Sequence, residues 1–129
     1  MATTDLAALA KKASEAAYVP YSHFRVGAVL ESSDGRLFTG CNIENISFGL
    51  TNCAERTAIF KAISEGVREF KSLTIYGETK DPISPCGACR QVLSEFCPPE
   101  MSVTLLSSDL TAKTMTLGEL LPYRFTDLD

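Results

Sequence analysis

The runs C-A-E-R-T-A-I-F-K-A-I-S, Cys53 to Ser64, and P-C-G-A-C-R-Q-V-L-S-E-F, Pro85 to Phe96, decide how this chain is read. Each is a row of good helix formers behind a cysteine, and each has a stop: Gly66 after the first, Pro98 and Pro99 after the second. Cys53 therefore falls in the first turn of one helix. Cys86 and Cys89, three apart, open the other and share one of its faces. Thiolates are strong ligands for a borderline-soft ion such as zinc, and Cys53 supplies a third ligand. Three protein ligands leave one tetrahedral position for a water, the mark of a catalytic rather than a structural zinc. Glu55, two residues from Cys53, is placed to take a proton from such a water and hand it on.

Charge bookkeeping supports the same pairing of residues. Three thiolates and Zn2+ sum to one negative charge, which disfavours ionising a bound water unless something positive compensates. Two helix N-termini each offer a partial positive charge, and Arg56, three residues from Cys53, can donate hydrogen bonds to ligand sulfur. The competing readings are a structural site closed by Cys97, Cys41 or His23, a redox C-x-x-C, and a solvated surface role for Arg56 and Glu55. Glu55 argues against the first two, because a closed structural site has no use for a carboxylate at its face.

Outward from these helices the chain alternates. The alanine-rich run from Asp5 to Tyr18 predicts a first helix capped by Thr3 or Thr4 and ended by Pro20. Phe24 to Glu31 and Arg36 to Cys41 predict a hairpin with Asp34 and Gly35 in the turn. Strands are expected at Ser72 to Gly77, Met101 to Ser107 and Lys113 to Thr116, with a last short helix at Leu117 to Leu121. Helices between strands imply crossovers, so the later strands are expected to be parallel. The fold class is α/β, with a mixed sheet of about five strands covered by helices.

With 129 residues the chain is expected to form a single domain, 1–129, around one core. Its composition, 45% hydrophobic and 22% charged, is that of a globular protein, and no apolar run approaches membrane-spanning length. A net charge of -4 argues against nucleic acid as a partner, and the M-A-T-T-D-L start does not read as an export signal. Five cysteines without such a signal point to a reducing, cytoplasmic compartment. Cys41 and Cys97 read as small buried hydrophobes.

Asn42 and Glu44, two apart in N-I-E-N, share a face if that segment is extended. A carboxamide beside a carboxylate suits sugar hydroxyls, and the carboxylate would repel a phosphate, which favours a nucleoside over a nucleotide. The alternative for N-I-E-N is plain turn chemistry. Phe24 and Phe125 read from the sequence as core aromatics.

Together the runs P-Y-S-H-F-R-V-G-A (Pro20 to Ala28), N-I-E-N (Asn42 to Asn45), C-A-E-R-T-A (Cys53 to Ala58), P-C-G-A-C-R-Q-V (Pro85 to Val92) and L-L-P (Leu120 to Pro122) resemble the small homotetrameric, zinc-dependent cytidine deaminases of nucleoside salvage, in the three-cysteine form of their signature. The resemblance covers nearly the whole chain. It implies a three-layer α/β/α sandwich, one zinc per chain held by Cys53, Cys86 and Cys89, and Glu55 as the proton carrier. It implies that Arg56 bonds ligand sulfur, that Asn42, Glu44 and Asn45 lie at the ribose, and that Phe24 packs on the pyrimidine. It further implies that the Ala54 carbonyl accepts from the substrate amino group and that Phe125 reaches a neighbouring subunit's site. Phe48 stands where many relatives have tyrosine. The expected reaction is hydrolysis of cytidine and 2'-deoxycytidine to the uridine forms and ammonia; the alternatives are a blasticidin S-type deaminase of the same fold and a non-enzymatic zinc module.

Overall fold

The computed structural model describes residues 5–125. Five strands form one sheet in the order β2-β1-β3-β4-β5: β1 (Val26–Ser32), β2 (Leu37–Cys41), β3 (Phe70–Gly77), β4 (Ser102–Leu106) and β5 (Ala112–Thr116). The helices are α1 (Leu6–Ser14), α2 (Ala54–Ser64), α3 (Gly87–Phe96) and α4 (Leu117–Leu120), with a 3-10 turn at Phe48–Leu50.

Alternation along β1 assigns the layers. Ala28 and Leu30 face a core shared with Ala58, Ile59, Leu93 and Leu117 of α2, α3 and α4, whereas Val29 faces Ala10 of α1 on the other side. The result is the expected three-layer α/β/α sandwich. Two glycines let the helices close on the sheet. A Cβ on Gly27 would sit 2.0 Å from the carbonyl oxygen of Ala10 in α1, and one on Gly40 would sit 2.4 Å from that of Ala54 in α2. Fully buried Leu30, Ile59, Leu73, Ile75 and Leu93 fill the main core, each contributing about 1.5–3 kcal/mol.

Two expectations are corrected. β5 is antiparallel to β4, because only a short turn with no helix joins them. The parallel rule holds where a helix intervenes: β3 and β4 are parallel across α3, and β2 and β3 run the same way across α2 with antiparallel β1 between them. The first helix stops at Ser14 rather than Tyr18, since the Tyr18 N–H donates to the Asn42 carbonyl (3.0 Å) and its carbonyl accepts from the Glu44 N–H (2.9 Å). Its cap is Asp5, whose side chain accepts from the Ala8 N–H at 3.1 Å; Thr3 and Thr4 lie outside the described residues.

Candidate active site

Cys53 and Cys86 are the N-cap residues of α2 and α3, so both helices present their positive ends to one point, and Cys89 follows one turn into α3. The sulfurs converge. Cys53 Sγ stands 3.7 Å from Cys86 Sγ, Cys86 Sγ stands 3.2 Å from Cys89 Sγ, and all three lie within 4.8 Å of one another. Thiolates on a tetrahedral zinc at about 2.3 Å would be spaced by about 3.8 Å, so the cluster fits that ion. Among the described residues the group holds these three ligands; Cys41, Cys97 and His23 do not join it.

The surroundings hold the ligands and carry compensating charge. Arg56 Nη2 donates to Cys53 Sγ (3.3 Å) and to the Thr51 carbonyl (3.4 Å), while its buried Nε finds no partner among the described residues. Hydrogen bonds from Cys89 and Arg56 pull the Cys53 thiol well below its ordinary range; Cys89, bonded to Cys53 and buried, is pushed the other way. Contact with Cys53 raises the Arg56 pKa further, so the guanidinium is a fixed charge. Glu55 is only 4% exposed, and burial raises its carboxyl pKa despite hydrogen bonding to its own N–H and to Cys89. A buried carboxyl that holds its proton readily is suited to both accept and deliver one.

These groups open onto a cleft of about 190 Å3 lined by Phe24, Val26, Asn42, Thr51, Cys53, Ala54, Glu55, Ile83, Ser84 and Cys86. The sequence reading missed Val26, Thr51, Ile83 and Ser84. Ser84 had the clearest signal, lying beside Pro85 in the cysteine loop. Arg90 fixes that wall, donating to Ser84 Oγ (2.6 Å), the Pro85 carbonyl (2.9 Å) and the Leu120 carbonyl of α4 (2.7 Å).

Among the residues expected at the substrate, Phe24, Asn42 and Ala54 line the cleft, while Glu44, Asn45, Phe48 and Phe125 do not. Asn42 is buried and already bonded: its Oδ1 accepts from the Val26 N–H (2.9 Å) and its Nδ2 donates to the Phe24 carbonyl (2.8 Å). Each atom keeps a further bonding position. Glu44 turns its carboxylate to the N–H groups of Tyr21 and Ser22 and to the Ser22 hydroxyl, and that hydroxyl holds its pKa below the usual range. Asn45 accepts from the Ser47 N–H at 2.9 Å, a local turn contact. The expectation for Ala54 needs correcting. Its carbonyl packs against Gly40 within the α2–β2 contact, which leaves the N–H groups at the start of α2 as the donors facing outward.

Three thiols poised to hold a zinc and a buried carboxyl able to move protons beside them are the parts a zinc-dependent hydrolase requires. The model of the cytidine and deoxycytidylate deaminase zinc-binding region matches residues 2–105. A cytidine deaminase of Sporosarcina psychrophila is 52% identical over all of this chain and 95% of its own length, and one of Mycobacterium tuberculosis is 41% identical over 90% of this chain and 84% of its own. The crystal structure of cytidine deaminase from Burkholderia pseudomallei superposes with a TM-score of 0.93 at 49% identity, covering 97% of this chain and 100% of that one. The chain belongs to the cytidine and deoxycytidylate deaminase family, and its metal is zinc, one per chain.

Proposed function

We propose that the protein hydrolyses cytidine and 2'-deoxycytidine to uridine and 2'-deoxyuridine with release of ammonia, in pyrimidine salvage in the cytoplasm. The observation that carries this reading is the buried Glu55 carboxyl beside the three converging sulfurs, at the floor of the cleft lined by Phe24 and Asn42.

Cys53, Cys86 and Cys89 would hold the zinc, which would supply Lewis-acid chemistry toward a water in the cleft. Glu55 takes one proton from that water and places it on ring N3 as oxygen joins C4. It then carries the second proton to the amino group as the C4–N bond breaks, so one carboxyl serves as base and as acid. Arg56 offsets the negative charge of the thiolates. Phe24 forms the wall for the pyrimidine, and the free N–H groups at the start of α2, Ala54 among them, suit an acceptor on the ring. Of the ribose group Asn42, Glu44 and Asn45, only Asn42 lines the cleft of a single chain; the other two lie beside it in the same segment, where the Glu44 carboxylate disfavours a phosphorylated substrate.

The active unit is a homotetramer with shared sites. Ile46, Phe48 and Leu50 are 80%, 76% and 70% exposed in one short loop, a grouping that favours burial against another copy. Phe125 is 63% exposed and does not line its own cleft, which leaves the ring available to a neighbouring copy. The test is a cytidine deamination assay with zinc measured per chain, together with reassembly of Glu55→Gln chains with Phe125→Ala chains. Mixed oligomers should regain part of the activity, since some sites combine an intact Glu55 with a neighbour's intact Phe125. A fully active monomer in sedimentation analysis would end the shared-site reading and leave the zinc chemistry standing.

A further inference from the structure

Resting on this nucleoside reading, we propose that Ser22 is a positioning residue that ties the Glu44 carboxylate to Phe24 and so holds the aromatic wall of the cleft in place. The Ser22 hydroxyl has one proton and gives it to Glu44 Oε2, while its oxygen accepts the Phe24 N–H at 3.0 Å. Glu44 Oε1 accepts the backbone N–H groups of Tyr21 and Ser22, both at 3.1 Å, and Glu44 is itself anchored by its own N–H to the Tyr18 carbonyl at 2.9 Å. On its other side Phe24 is gripped through its carbonyl by Asn42 Nδ2 at 2.8 Å. Phe24 is therefore held at both peptide groups by the N-I-E-N segment, directly by Asn42 and through Ser22 by Glu44.

The backbone between them gives this clamp something to resist. His23 has φ 57°, in the left-handed region that few side-chain-bearing residues occupy. The bond from the Phe24 N–H to the Ser22 oxygen spans that residue, and the bond from the Ser22 hydroxyl ties the span to Glu44. Without the hydroxyl the turn is free to relax, and the Phe24 ring loses its fixed approach to the cleft. Loss of orientation in a ring that only binds should appear in KM and spare the proton transfers of Glu55.

Ser22→Ala should raise KM for cytidine by about five- to twentyfold with kcat within about twofold and zinc content unchanged, and Ser22→Thr, which keeps the hydroxyl, should restore KM to within about twofold of the parent. In a Glu44→Ala background, where the clamp has lost its anchor, Ser22→Ala should add no more than about twofold. An unchanged KM in Ser22→Ala, a fall in kcat at constant KM, failure of Ser22→Thr to restore binding, or the full Ser22→Ala penalty persisting beside Glu44→Ala would each overturn the inference. Turnover of cytidine by the parent chain tests the nucleoside reading separately: a parent without it refutes that reading, whereas a parent that turns cytidine over while Ser22→Ala leaves KM unchanged refutes only the clamp.

Discussion

Replacing Glu55 with glutamine preserves shape and burial and removes the capacity to carry a proton. The residue is 4% exposed, and no other carboxylate or imidazole lines the cleft among the described residues, so nothing nearby can take over the transfers. A positioned acid or base contributes about 10²–10⁴-fold, and Glu55 is asked to act twice in one turnover. We expect kcat to fall by about 10³–10⁴, which raises the barrier by about 4–6 kcal/mol at about 1.4 kcal/mol per decade. KM should change little, because the group acts on the reacting protons rather than on the sugar or the ring face. Burial disfavours the Glu55 charge, so a neutral amide is accepted at that position without loss of fold. The assay follows the ultraviolet change as cytidine becomes uridine, beside zinc per chain and a thermal melt. A variant with full zinc and kcat within about tenfold of the parent would remove Glu55 from the mechanism.

Arg56→Gln removes the donor that lies 3.3 Å from Cys53 Sγ, and should weaken zinc retention against a competing chelator by about 10–100-fold, whereas an affinity within about twofold of the parent would make the arginine a bystander. Asn42→Ala orphans the Val26 N–H and the Phe24 carbonyl; at about 1–2 kcal/mol for each, denaturant unfolding should show a loss of about 2–4 kcal/mol, and a loss below about 1 kcal/mol would say the bonds are dispensable. Burial pushes the Cys97 thiol up to about 12 from an ordinary 9.0, so between these values the folded chain keeps a proton that the unfolded chain has released. Its contribution to stability should fall as pH rises through that window, by up to about 1.4 kcal/mol per pH unit, and Cys97→Ala should flatten the slope; an identical pH dependence in the variant would refute the assignment.

Features that depend on neighbours along the chain can be read from residue order alone. Helix formers behind Cys53 and Cys86, and breakers at Gly66, Pro98 and Pro99, fix where α2 and α3 begin and end, and the three-residue spacing of Cys86 and Cys89 puts both sulfurs on one face. The hairpin of β1 and β2 was legible for the same reason, as were Glu55 and Arg56 by their closeness to a ligand. Features that depend on partners distant in sequence emerge only once the layers have packed. Local propensity carries the first helix on to Tyr18, but pairing with Asn42 and Glu44 takes that residue out of it. No local pattern places β1 between β2 and β3, brings Ile83 and Ser84 to the cleft, turns the Ala54 carbonyl to Gly40, or gives Ser22 to Glu44. Periodicity reports which face of an element is buried, whereas the identity of the group it meets is set by how the layers pack, where long-range contacts outweigh propensities of a few tenths of a kcal/mol per residue.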